Sequence, residues 1–245
     1  MLNIVIPMAG EGIRFRQRGY ELPKPLIEIK GSPMIARVVG NIRPRGAHRF
    51  VFLCREQHCR DYPVRALLSR LAPDSEIVVL NRPTEGAACT VLLAEALIDN
   101  DDELLLANSD QYVEADVDAF LADSRTKGFD GSIMTFFASE PKWSFVRRGP
   151  DGLVTEVAEK KPISTEATVG LYHFRRGRDF VRGAKAMIAK GVRVNGEFYV
   201  CPVYNEVIQD GRKIGAWEIP SSQMHGLGTP EDLDVFRGSQ AFSRL

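Results

Sequence analysis

A chain of 245 residues with 44% hydrophobic side chains is long enough to bury a substantial core, as one large domain or one domain with a small appendage. Its 32 basic and 32 acidic side chains cancel, which excludes a global attraction to nucleic acid or to an anionic membrane, so any anion-binding charge must be local. The opening MLNIVIPMAG lacks the basic start of a signal peptide, and no segment approaches the roughly 18 apolar residues of a membrane span. Cysteines 54, 59, 89 and 201 have no paired metal-ligand spacing and read as the reduced thiols of a cytoplasmic protein.

In chain order, Leu2–Met8 is a compact apolar run and predicts a buried strand. The stretch that follows, AGEGIRFRQRGYELPKPL, is a basic loop punctuated by glycine. Gly10 and Gly12 let the backbone turn tightly and aim several N–H groups at one point. Arg14 and Lys24 add positive charge, with Lys24 held between two prolines. Such a loop suits a polyphosphate at the carboxyl end of the first strand; the alternative is a surface loop with two stray cations. Helices near 33–42, 56–71 and 86–99 alternate with strands at Phe50–Cys54, Ile77–Leu80 and Leu104–Ala107. This alternation predicts an α/β fold: a doubly wound, mixed but mostly parallel sheet with right-handed crossovers. Active sites of such sheets lie beyond the carboxyl ends of the strands, where both the opening loop and Asp110 fall. After about residue 130, strands at Ser132–Ala138, Phe145–Arg147, Val154–Ala158 and Thr168–Phe174 follow with little helix between them. Helices near 177–190 and Tyr199–Gln209, a strand at 214–219 and a helix from about Pro230 complete the chain. No Gly/Ser linker divides it, so a single domain is expected.

Asn108-Ser109-Asp110 ends the run LLLANSD. A carboxylate there can hold a divalent cation facing phosphates, or cap a turn. Arg82-Pro83-Thr84-Glu85-Gly86-Ala87-Ala88 offers small residues against which a flat base could lie, or a plain strand-to-helix connection. Glu159-Lys160-Lys161-Pro162 reads in isolation as a solvated turn. Gly170-Leu171-Tyr172 and Asn195-Gly196-Glu197 supply a flexible backbone position and polar groups suited to hydroxyl recognition.

AGEGIRF followed by LPKPL resembles the signature of the sugar-phosphate nucleotidyltransferases, also called nucleotide-sugar pyrophosphorylases. The resemblance runs through PTEGAA, NSD, EKKP, GLYHF and GTPEDL at 228–233, with Ile13 in place of the usual threonine or serine. It implies a Rossmann-like nucleotidyltransferase fold, GT-A-like, with residues 1–130 as the nucleotide-binding half and 131–245 as the acceptor-binding half. It further implies a Mg2+-dependent enzyme that transfers NMP from CTP, UTP, GTP or dTTP to a phosphorylated small-molecule acceptor, by default a sugar 1-phosphate. By similarity, Ala9, Gly10, Gly12 and Arg14 hold the triphosphate, Lys24 contacts the reacting phosphates, and Glu85 and Gly86 lie against base or ribose. Asp110 binds the metal; Glu159, Lys160, Gly170 and Glu197 meet the acceptor, with Lys161 the alternative to Lys160. Many relatives carry a second metal-binding aspartate before the Thr-Pro of the last motif, whereas Met224–Pro230 here contains no acid. Either one carboxylate and the nucleotide hold the metal or another residue substitutes, with His225 the nearest alternative, although a histidine there more often packs or faces solvent.

The same resemblance admits a cytidylyltransferase acting on a phosphorylated alcohol or amino-alcohol. A nucleotide-sugar-dependent glycosyltransferase is the rival enzyme, and a catalytically silent nucleotide-sugar sensor the rival from another class. Glycosyltransferases commonly hold metal through an Asp-x-Asp pair, which NSD lacks, and retention of Arg14, Lys24 and Asp110 argues against the sensor. A homodimer is the default assembly, and a role in polysaccharide biosynthesis rests on analogy alone.

Overall fold

Alternating burial explains why the aliphatic runs become central strands. In β1 (Leu2–Pro7), Leu2, Ile4 and Ile6 pack into one apolar layer and Val5 into the opposite one, so both faces of the strand are covered. The computed structural model describes residues 1–245 and builds a nine-stranded mixed sheet around this strand. After β1 come α1 (Ile13–Gln17), a single 3-10 turn (Lys24–Leu26) and the short ribbon β2 (Glu28–Ile29) and β3 (Ser32–Pro33). Then follow α2 (Met34–Ile42), β4 (His48–Arg55), α3 (Glu56–Asp61), α4 (Val64–Leu71), β5 (Glu76–Leu80), α5 (Ala87–Leu92), α6 (Glu95–Ile98) and β6 (Glu103–Ala107). Strands β5, β4, β1 and β6 are neighbours in that order and all run parallel.

The rest of the chain extends this sheet. It contributes β7 (Gln111–Val113), α7 (Val117–Thr126), β8 (Gly131–Phe137), β9 (Ser144–Arg148), β10 (Val154–Glu159), β11 (Glu166–Phe174), α8 (Gly177–Ala189) and α9 (Val203–Gln209). The chain continues through β12 (Ile214–Ile219), β13 (Met224–Gly226), α10 (Pro230–Arg237) and α11 (Gln240–Arg244). Strand β11 docks antiparallel on β6, β8 pairs antiparallel with β11, and β12 joins β8 in parallel. Buried clusters of 28 and 27 residues cover the two faces, the arrangement of a doubly wound sheet.

The nine strands that the sequence places are found to within two residues at each end, while the short β2, β3, β7 and β13 were not anticipated; three helices differ. The helix expected over 56–71 is split, because Pro63 forces Tyr62 into extended backbone. The helix over 86–99 breaks at Leu93–Ala94. The helix expected from Tyr199 begins at Val203, after Pro202. Helix α7 was not anticipated, although Asp116 caps it by accepting a hydrogen bond from the Ala119 N–H, 3.1 Å. No helix is long and apolar enough to cross a membrane.

A third cluster of eight buried residues does the positioning. Phe15, Ile27, Ile29 and Met34 from the amino-terminal loop region pack with Leu227, Leu233, Phe236 and Ala241 from the carboxyl-terminal segment. The glycine-rich loop is thereby fixed to the end of the chain beyond the carboxyl ends of β1 and β6.

The opposite end of β6 carries charge that serves stability. Burial opposes ionisation of Glu103, but the His173 ring at 3.8 Å, itself pushed towards its neutral form by burial, and above all the Arg125 guanidinium at 3.0 Å outweigh it and hold the carboxyl down at about 2. The unfolded carboxyl titrates near 4.5. Its stabilisation is therefore complete above pH 4.5 and disappears as the pH falls towards 2. Partial exposure of Arg125 and Arg175 limits the contribution to about 1–2 kcal/mol. In thermal melts from pH 6 to pH 2, Glu103→Gln is expected to melt lower than wild type at pH 6 and to converge with it at the acid end. Parallel curves would remove this role.

Candidate active site

Backbone amides define the site first. Chain turns away from β4 after Met8, whose N–H donates to the Leu53 carbonyl at 3.0 Å, and the next amides, from Ala9 to Gly12, have no hydrogen-bond acceptor in the chain. Unpaired consecutive N–H groups in a tight turn form a cradle for anionic oxygens. Gly12 has φ +62, and a Cβ there would press on Lys24 Cβ at 3.3 Å, so the loop and the Pro-Lys-Pro segment interlock only because this residue is glycine. Arg14 is exposed on α1 and forms no salt bridge, while Glu11 is drawn aside by Arg55 at 3.1 Å.

Lys24 crosses from this loop to the end of β6. Its Nζ donates to Asp110 Oδ2 at 2.7 Å, with both side chains mostly covered. Thus the lysine read as phosphate-binding and the carboxylate read as metal-binding are in contact. Asp110 is held by its backbone as well, its carbonyl accepting from the Leu227 N–H at 2.8 Å. His225 does not reach this carboxylate. Its Nε2 pairs with Glu114 Oε1 at 3.0 Å and its ring packs, tilted, against Tyr112 and Phe236, so it is a packed histidine.

Gly86 occupies the junction of the base segment. Its φ is +124, and a Cβ would lie 2.4 Å from the Phe198 carbonyl oxygen, so no side chain fits. The backbone of Glu85 to Ala88 is zipped to Phe198 by N–H···O bonds of 2.8 and 3.0 Å. The exposed Glu85 side chain turns outward to an ion pair with Arg193, whose guanidinium lies over the Phe198 ring.

On the other side, β9, β10 and β11 bring the remaining residues together. Ser144 Oγ donates to Glu159, and burial pushes the Glu159 carboxyl up from its ordinary value despite that bond and the nearby Lys160 charge. Lys160 adopts a left-handed φ of +54; its N–H bonds the Trp143 carbonyl at 2.9 Å, and its Nζ donates to the Tyr199 hydroxyl above the Tyr199 ring. Lys161 is exposed, whereas Lys160 is partly covered. Burial also raises the Tyr199 hydroxyl against the pull of Lys160, and the exposed Glu197 adds charge repulsion to both Glu159 and Tyr199. Gly170 has φ +91, and a Cβ there would collide with Asn108 Nδ2 at 2.4 Å and crowd Gln111 Oε1 at 3.1 Å.

Three of these groups escaped sequence reasoning. Gln111, 1% exposed, has neither side-chain polar atom paired, an orphaned amide beside Gly170. Tyr199 holds Lys160. Trp143 borders both the Lys160 turn and Gly226. Only the orphaned state of Gln111 and the contact map reveal them; no motif contains them.

Comparison with known proteins gives the same family. The nucleotidyl transferase family model matches residues 4–185. UTP–glucose-1-phosphate uridylyltransferase AglF of Haloferax volcanii is 24% identical over 245 residues, covering 95% of this chain and 94% of that one. The catalytic subunit beta of mannose-1-phosphate guanylyltransferase from Danio rerio is 25% identical over 71% of this chain, which spans 49% of that protein. Among solved structures, a nucleoside-diphosphate-sugar pyrophosphorylase from Vibrio cholerae RC9 superposes with TM-score 0.79 at 28% identity, covering 95% of this chain and 98% of that one. The inositol-1-phosphate CTP transferase of T. maritima, at 15% identity and TM-score 0.76 over 98% and 93%, shares the fold. With a glycine cradle, a Lys24–Asp110 pair and a family match over most of its length, the chain belongs to the nucleotidyl transferase family.

Proposed function

We propose that the protein uses Mg2+ to transfer the nucleoside monophosphate of an NTP to a sugar 1-phosphate, with release of pyrophosphate. The observation that carries this reading is the Lys24–Asp110 contact, set directly beside the partnerless amides of residues 9–12. A cation already stands on Asp110 Oδ2 in the form of the Lys24 ammonium, and a carboxylate oxygen is the hard donor that Mg2+ takes. No three carboxylate, histidine or cysteine side chains converge there. That fits a metal held by one or two carboxylates and shared with substrate phosphates. Bound at Asp110, the ion would neutralise phosphate charge.

The rest of the work falls to the chain. The loop amides and Arg14 hold the β- and γ-phosphates, and Lys24 reaches the reacting phosphate group. Lys160 draws in the acceptor phosphate, and Glu159, Gln111 and the Gly170 backbone meet its hydroxyls. An acceptor phosphate oxygen attacks the α-phosphorus in line; the new P–O bond forms as the bond to the bridging oxygen breaks and its electron pair leaves with pyrophosphate. Because that phosphate is ionised near neutral pH, no general base is required, and catalysis consists of positioning two anions and neutralising charge. The orphaned Gln111 amide and the buried Glu159 support a polyhydroxylated acceptor.

The test is pyrophosphate release by purified protein with Mg2+, each of CTP, UTP, GTP and dTTP, and a panel of sugar 1-phosphates, phosphorylated alcohols and amino-alcohols. Release with one NTP and one acceptor supports the reading; binding without turnover across the panel would favour a sensor. In the same assay Arg14→Ala is expected to raise the NTP KM by roughly tenfold to a hundredfold, the loss of one or two charge-assisted hydrogen bonds, with the acceptor KM unchanged. Unaltered NTP kinetics would detach Arg14 from the triphosphate.

A further inference from the structure

Resting on the nucleotidyl-transfer reading above, we infer that Asp232, in the first turn of α10, is the second carboxylate of the cation site at Asp110. The segment Met224–Pro230, which borders Asp110, contains no acid of its own, yet the fold returns one to it. Strand β13 pairs with β7 so that Gly226 stands opposite Gln111, and Leu227 is bonded to the Asp110 carbonyl. A Cβ on Gly226 would lie 3.5 Å from Asp232 Cγ, so the Asp232 carboxyl group packs beside the bare Gly226 backbone. A Cβ on Gly228 would lie 3.1 Å from Asp110 Oδ2 and 3.9 Å from Asp232 Oδ2. The two carboxylates therefore converge on one bare glycine, which leaves a cradle that any side chain would fill.

Asp232 is not engaged in the ordinary duty of an acid at its position. A carboxylate in the third helical place normally reaches back to the N-cap amide. Here the Thr229 hydroxyl accepts from the Asp232 N–H at 3.1 Å, but the Asp232 carboxylate makes no return bond and instead takes Lys142 Nζ at 2.9 Å. Each carboxylate thus carries one lysine from a different loop, Lys24 on Asp110 and Lys142 on Asp232. Two anions gathered around one glycine call for positive charge between them. A divalent cation meets that demand and releases both ammonium groups to incoming phosphates.

The experiment reads the metal and not the turnover. Water-proton relaxation enhancement is measured as Mn2+ is titrated into the protein with the α,β-methylene analogue of each of the four NTPs in turn. Wild type is expected to show bound Mn2+ with at least one analogue. Asp232→Asn should weaken Mn2+ on the order of tenfold or more, since a direct ligand should matter at least as much as an outer-shell partner. Asp234→Asn, on the exposed face of the same helix, should bind as wild type. Lys142→Met separates the metal role from a structural ion pair: it should leave Mn2+ affinity unchanged or tighter, whereas a structural pair requires both variants to weaken alike. Mn2+ affinity of Asp232→Asn within twofold of wild type, or equal weakening by Lys142→Met, overturns the inference. Absence of bound Mn2+ in wild type with every analogue would instead overturn the nucleotidyl-transfer reading beneath it.

Discussion

Asp110→Asn is expected to lower pyrophosphate release by on the order of a thousandfold while leaving the fold in place. The substitution keeps size and shape, and the backbone bond from Leu227 N–H to the residue 110 carbonyl is untouched. What disappears is the charge at Oδ2, the atom now occupied by the Lys24 ammonium. An amide oxygen is too weak a donor to hold a divalent cation against water, and phosphoryl transfer without charge neutralisation loses its main source of rate. Removal also leaves Lys24, a mostly covered ammonium, without its counter-charge, so a stability loss of about 1–2 kcal/mol is expected beside the kinetic one. The measurements are steady-state pyrophosphate release as a function of Mg2+ concentration and a denaturant melt. A rate near wild type with the same Mg2+ dependence would return Asp110 to the role of a turn-forming aspartate.

Much of this architecture was legible because strands covered on both faces must be aliphatic throughout. The runs at 2–8, 50–54 and 104–107 needed no periodicity argument, and β1, β4 and β6 follow them closely. Helices were less legible where one residue decides continuity. Pro63 was visible and could have split 56–71, as could Asp116 with Val117, Phe120, Leu121 and Ser124 have announced α7. The loop's turn was legible at Gly12, which adopts the left-handed conformation a glycine there suggests, but not at Gly10, which has no left-handed φ and open space around it. Side-chain juxtapositions were not. EKKP does not say which lysine turns inward; that follows from the left-handed backbone of Lys160 and its bond to Trp143. The acid missing between 224 and 230 returns from residue 232 because one helical turn folds it back over Gly226, a distance in space that chain position hides. Gln111 carries no motif, and its two unpaired atoms exist only once β7 and β11 have met around Gly170.

Lys24→Ala is expected to lower kcat/KM for the NTP by roughly a hundredfold to a thousandfold, and Lys24→Arg is expected to rescue little of it. The reason is preorganisation. Pro23 and Pro25 restrict the backbone on either side, the 3-10 turn fixes the side chain's origin, and Gly12 makes room for the Lys24 Cβ. A compact ammonium on that stem reaches Asp110 without disturbing the loop; the wider guanidinium fork has to push against Gly12 or the carboxylate. Because Lys24 now holds Asp110, its removal also frees that carboxylate, so nucleotide-free Lys24→Ala should bind Mn2+ more tightly than wild type even as turnover falls. A structural salt bridge behaves in the opposite way: it would cost stability, leave kcat/KM near normal once the protein is folded, and give no gain in cation affinity. Kinetics at saturating acceptor, together with Mn2+ titration of the nucleotide-free protein, separate the two. Loss of stability alone would mean that Lys24 merely braces the loop, and the phosphate-reaching role would then have to pass to Arg14.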